Sequence, residues 1–166
     1  QSKHLDRWSR LSSSARSSLL THLGELVATL SLRCLLAELA DDGDYGRLNE
    51  YLGGRRARVD FLIRYPVLAH DLIAAIRGWR EQVDALLSRL IADTRALQEC
   101  GMLSADVDSV KSVRFAGDRH DSGQSVAILT FDDGKRVVYK PRDCGLFVFY
   151  RDLIRLLAPY VTAASA

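Results

Sequence analysis

The sequence predicts an α+β fold in which a helical scaffold is followed by a small antiparallel sheet and one further helix. Three observations carry that prediction. Apolar residues recur every three or four positions through the first hundred residues, and short β-branched and aromatic runs separated by Gly and Asp then take over. From about Gly145 the helical spacing returns. Helices first and strands later is the order of an α+β chain rather than of alternating βαβ units. The expected division is a helical region over 1–104 and a unit of three strands plus a helix over 105–166.

After a Ser-rich entry, "RLSSSARSSLL", a helix is expected from about Ser17 to Leu39, with Leu19, Leu23, Leu26, Leu30 and Leu35 as its apolar stripe. Asp41, Asp42 and Gly43 end it. The basic cluster "GGRRAR", Gly53 to Arg58, separates two shorter helical pieces and reads as a solvated loop and helix face, not a polyanion site. The longest helical signal starts at Pro66, whose missing N–H has no partner in a first turn anyway. Leu68, Leu72, Ile76, Trp79, Val83, Leu86, Leu90 and Leu97 share one face, over roughly 48 Å at 1.5 Å per residue, with Gly78 as a candidate bend. His70 has Ala74 rather than a second ligand at i+4, so it reads as a structural or solvated histidine.

The runs "VKSVRF", "SVAILTF" and "RVVYK" predict three antiparallel strands. Between the last two, "DDGK" predicts a two-residue type I′ loop at Asp133-Gly134. That loop pairs Asp132 with Lys135 and sets Ala127 opposite Lys140. The closing helix carries Leu146, Phe149, Leu153 and Leu157 at helical spacing.

A net charge of +2, with arginines interleaved among acids, argues against nucleic acid as a partner. Cys34, Cys100 and Cys144 are isolated and lack Cys-x-x-Cys or Cys/His spacing, so neither a disulfide framework nor a zinc site is expected. Such cysteines suit a reducing setting, so the expected location is cytoplasmic, and with no apolar run of about 18 residues no transmembrane segment is expected. The start at Gln1 and the stop just after an apolar helical pattern give the expectation of a piece of a longer enzyme.

The chemistry concentrates in "GDRHDSGQSVAILTFDDGKRVVYKPR", Gly117 to Arg142. Small residues such as Gly117 and Gly123 let backbone N–H groups approach phosphate oxygens, and a strand lysine, Lys140, can neutralise part of their charge. This is how kinase-like folds hold ATP. Asp118 and His120 add groups able to exchange protons with a phosphorylated substrate, and Arg142 offers a planar fork for phosphate. The same residues admit plainer roles: a turn-capping Asp, an exposed His, a solvent-facing lysine and a surface salt bridge.

Three separated motifs add what spacing cannot: the "RYPVLAHDL" helix start, the Gly-Asp-x-His-x-x-Gly loop and the Val-Tyr-Lys-Pro-Arg strand. Together they closely resemble the dehydratase domain of class II (LanM-type) lanthipeptide synthetases, over roughly Leu35 to Val161. The first 34 residues match only loosely. The resemblance implies part of a kinase-like N-lobe in an enzyme that phosphorylates Ser and Thr of a ribosomally made precursor peptide with ATP and Mg2+. That enzyme then eliminates phosphate to leave dehydroamino acids, while Zn2+ belongs to a separate cyclase domain. Carried over by motif, Lys140 contacts ATP phosphates, Asp118 and His120 serve the elimination, and Arg142, Gly117 and Gly123 take phosphate-positioning or backbone roles. Asp152 is the acid on the last helix that could partner Lys140. The catalytic-loop and metal-binding residues of the second lobe are not in this sequence, so the chain alone is expected to be inactive. The alternative function is a scaffold or leader-peptide-binding module, using the helices and the open sheet edge.

Overall fold

The computed structural model describes residues 8–107, 109–116, 125–142 and 145–163. Five helices, α1 (Ser13–Asp42), α2 (Tyr45–Gly53), α3 (Arg55–Arg64), α4 (Pro66–Glu99) and α5 (Gly145–Ala163), accompany strands β1 (Val110–Ala116), β2 (Val126–Phe131) and β3 (Arg136–Tyr139). The strands form one antiparallel sheet in the order β1-β2-β3. The mixed fold class read from the sequence is therefore the one observed. α4 runs as 34 residues without interruption through Gly78, so the helix does not break there.

The core lies between one face of the sheet and the helices α1 and α4. Ala15 and Leu19 of α1 and Val83, Leu86 and Leu87 of α4 meet Val110, Val113, Ala127, Leu129 and Phe131 of the sheet, all at most 3% exposed. Strand alternation explains which residues take part: in β2, Ala127, Leu129 and Phe131 are buried while Val126, Ile128 and Thr130 are only partly covered. The core thus joins residues from both sides of the 104/105 boundary.

The Ser-rich entry is part of this joint. Ser12 caps α1 by accepting from the Ala15 N–H at 3.1 Å. Ser14 Oγ donates to the Lys111 carbonyl at 3.0 Å, and Ser18 Oγ accepts from the Val113 N–H at 3.2 Å. Backbone bonds from Val110 N to Arg10 O and from Ser12 N to Val110 O, 2.9 and 3.0 Å, lay the residues before α1 along the start of β1. A strand edge that would otherwise present unpaired N–H and C=O groups is so covered by the chain's own N-terminal part.

The β2–β3 connection differs from the type I′ expectation. Gly134 N–H donates to Phe131 O at 3.0 Å and Phe131 N–H to Lys135 O at 2.9 Å, so the loop is the three residues Asp132–Gly134. Gly134, at φ 81°, takes the left-handed position that closes such a turn with a bulge. Side chains reinforce this choice: Asp133 accepts from Lys135 N at 2.9 Å and from Ser104 Oγ at 2.7 Å, and Lys135 Nζ reaches Gly101 O at 3.2 Å. The Ser104 hydroxyl first, then the Lys135 amide, hold the Asp133 carboxyl below its usual range. With one more residue in the turn the register moves by one. Ala127 stands opposite Tyr139, not Lys140.

A second, smaller helical joint lies away from the sheet. Arg64 Nη1 is 2.6 Å from both carboxylate oxygens of Glu38, and the Tyr65 hydroxyl donates to Glu38 Oε1 at 2.9 Å, tying α1 to the α3–α4 corner. Burial alone pushes the Glu38 carboxyl up, but the hydrogen bonds from Arg64 and Tyr65 outweigh it and hold the group below the usual glutamate range. A carboxyl depressed in the folded state stabilises fully above its unfolded pKa, about 4.3, and loses that contribution as pH falls through the folded value. Glu38→Gln is therefore expected to flatten the acid limb of a stability-versus-pH curve. At neutral pH the cost is about 1 kcal/mol, small because Arg64 is half exposed. Urea midpoints between pH 3 and 7 measure both; an unchanged acid limb would show that the pair adds nothing.

Candidate functional site

The one-residue shift at the hairpin decides which face the lysine occupies. Because side chains alternate, Val137 and Tyr139 point with Ala127 and Leu129 toward the helices, while Arg136 and Val138 point away. Lys140, one residue beyond the last ladder pair, follows the outward set by alternation, and it also borders the groove between β3 and α4. The expected two-residue loop would have placed it opposite Ala127, on the helix-packed face, where an ammonium would have to be desolvated. The observed register spares it that cost.

The outward face near Lys140 is apolar on β2 and β3, with the exposed Arg114 of β1 beside Ile128. Val138 pairs with Ile128, and the same register continued brings Val126 level with Lys140. Val126 and Ile128 are partly covered and Val138 is 52% exposed, so the three form a shallow apolar patch beside a cation. Lys140 is exposed and makes no side-chain hydrogen bond or ion pair with another described residue. An apolar patch ended by an ammonium offers area to a planar ring and charge to an anion.

Val126 also pairs with Ala116, so the stems of the segment between β1 and β2 stand at this same end of the sheet. Of the residues expected to build the site, Gly117, Asp118, His120 and Gly123 lie outside the described residues. Lys140, Pro141 and Arg142 are described, and the Arg142 N–H donates to Lys140 O at 2.8 Å, a tight turn that ends β3. They border an open groove of about 740 Å³ along the free edge of β3, floored by Leu86, Leu90, Leu129 and Val137, with Arg89 and Asp93 from α4 on its other side. Arg89 sits 5.8 Å from the Tyr139 ring centroid, in cation–π range. Asp152 pairs with its neighbour Arg151 at 2.9 Å and not with Lys140. His70 is 83% exposed beside Asp71, in keeping with a solvated histidine.

One contributing residue escaped sequence reasoning. Gln82 of α4 is 5% exposed, and its Nε2 donates to both the carbonyl and the hydroxyl oxygen of Ser125, each at 3.0 Å. Ser125, also 5% exposed, is the residue before β2. A signal existed: Gln82 falls three residues after Trp79 and four before Leu86, a polar residue within an apolar stripe. Such a residue is buried only with a partner.

Among the described residues no group of three His, Cys, Asp or Glu side chains could hold a metal ion. No helix among the described residues is long and apolar enough to cross a membrane.

Fold and site together define a two-layer α+β protein whose helical layer backs a small sheet with a lysine-ended apolar face. Residues 65–164, more than half of the chain, match the model of the family described as a domain of unknown function (DUF4135), and the chain belongs to that family. A comparison with curated proteins returns no match.

Proposed function

We propose that the chain is the scaffold and partial kinase-like small lobe of a lanthipeptide dehydratase. In that reading the enzyme transfers the γ-phosphoryl group of ATP to Ser or Thr of a precursor peptide and then eliminates phosphate. The observation that carries it is the register of the β2–β3 hairpin. It pairs Val138 with Ile128 on one open face, and continued by two residues it brings Lys140 level with Val126, which pairs with Ala116 at the end of β1.

Each residue then has a task. The apolar patch takes the base, and the Lys140 ammonium neutralises charge on the phosphates while the bond from the peptide hydroxyl to phosphorus forms and the bond to ADP breaks. In the second step a base removes the peptide α-proton, the carbon–oxygen bond breaks, and phosphate departs. Asp118 and His120 are proposed for this proton transfer and for assisting the leaving group, with Arg142 positioning phosphate. Helix α5 supports the idea of a larger assembly. Leu146, Phe147, Phe149, Ile154 and Leu156 are each more than 60% exposed, and a helix apolar on so many sides is ordinarily buried.

The test uses the complete synthetase with its precursor peptide, ATP and Mg2+. Asp118→Asn and His120→Ala should each leave phosphorylated, undehydrated peptide, read by mass spectrometry, with dehydration slowed by about two orders of magnitude or more. Dehydration at the wild-type rate would remove both residues from the mechanism. A second reading, a leader-binding module without catalysis, is favoured by the open β3 edge and its groove, where an extended peptide could add as a strand. It predicts peptide affinity that ignores Lys140, Asp118 and His120.

A further inference from the structure

We propose that Gln82 is a positioning residue through which the helical scaffold sets the nucleotide-facing end of the sheet. The proposal rests on the reading above for the identity of the ligand, but its geometry does not. One buried amide on α4 grips Ser125 twice, by backbone oxygen and by hydroxyl. Ser125 precedes Val126, which pairs with Ala116 on one side and stands level with Lys140 on the other. Holding Ser125 therefore fixes where the apolar patch begins relative to the ammonium. The other α4 contacts with the sheet include apolar packing through Val83, Leu86 and Leu87 and the Arg89–Tyr139 cation–π contact.

Apolar contacts resist separation but tolerate sliding, because their energy depends on area rather than direction. A pair of hydrogen bonds is directional and loses strength steeply off axis. Gln82 therefore supplies what the leucines cannot: a definite place for the start of β2 along α4. A backbone shift of an ångström at Val126 would move the patch out of line with Lys140, and misplacement of that size is enough to cost catalysis heavily.

Gln82→Met tests this, since it keeps the side chain's volume and removes its donors. In this chain, amide hydrogen exchange at Val126 and Ala127 should accelerate about tenfold, which the loss of a net buried hydrogen bond permits. Leu129 to Phe131, at the hairpin end of the same strand, should keep their wild-type rates. Uniform acceleration along β2 would mean a merely structural role, and no acceleration would mean no role; either overturns the proposal. In the complete synthetase, the same variant should raise KM for ATP several-fold with kcat for elimination of a supplied phosphopeptide retained. Ser125→Ala should reproduce part of the effect, and the double variant should be no worse than Gln82→Met alone. If exchange changes locally while KM for ATP stays put, the link to the nucleotide face is wrong. If instead Lys140→Ala leaves phosphorylation intact, the failure lies with the nucleotide reading and not with the Gln82 contact.

Discussion

Replacing Lys140 with alanine is expected to lower phosphorylation of the precursor peptide by the complete synthetase by about two to three orders of magnitude, the usual effect of deleting one preorganised group that meets transition-state charge. The fold should hardly notice. Lys140 is exposed and has no described side-chain partner, so truncation leaves no buried group unsatisfied, and the stability change should stay within about 0.5 kcal/mol. That separation of activity from stability makes the experiment informative. Lys140→Arg is expected to rescue only partly, because a planar fork on a longer stem does not present charge where a compact ammonium does. Phosphopeptide formed at near wild-type rate by Lys140→Ala would end the nucleotide assignment, leaving the peptide-binding reading of the β3 edge.

Leu19→Ala should have the largest effect on folding. Leu19 is fully buried where α1 meets the sheet, and the cavity left by Leu→Ala at such a site costs about 2–5 kcal/mol. For a domain of this size each kcal/mol moves the midpoint by about 2–4 °C, so a Tm loss on the order of 10 °C is expected by circular dichroism. Leu20→Ala is the matched control. It sits one residue on, 60% exposed, and should change Tm by little. The comparison matters because the family match starts at residue 65 and the motif resemblance covers the first 34 residues only loosely. Equal, small effects at both positions would show α1 to be an appendage; a large effect at Leu19 alone shows it to be half of the core.

Much of the architecture was legible from local pattern. The helical stripe over Leu68–Leu97 lies within the single helix Pro66–Glu99, and the three β-branched runs became three strands within a residue or two of their expected ends. Pro66, Gly43 and Gly134 punctuate as their backbone preferences dictate, Gly43 ending α1 at φ 68° with its N–H on Leu39 O at 2.7 Å. What misled was a count of one. Asp-Gly satisfies both a two-residue loop and a three-residue loop with a closing bulge, and local preference does not choose between them. Ser104, Ser109 and Gly101 choose, by bonding Asp133, Asp132 and Lys135 from a segment more than twenty residues away in sequence.

The serines in the first turns of α1 and Gln82 within α4 were opaque for the same reason. Each is a polar residue whose partner, Lys111, Val113 or Ser125, lies 43 or more positions along the chain. Periodicity reports only which way a side chain faces its own helix or strand. On its own, then, the order of residues determined the elements, their class and the motif residues available for chemistry. Tertiary structure decided the strand register, hence that Lys140 comes level with Val126 and not with Ala127, and it decided that α1 packs on the sheet and that Gln82 bonds Ser125 at its end. Register and long-range hydrogen bonds are choices between near-equal local alternatives, and only the packed partner breaks the tie.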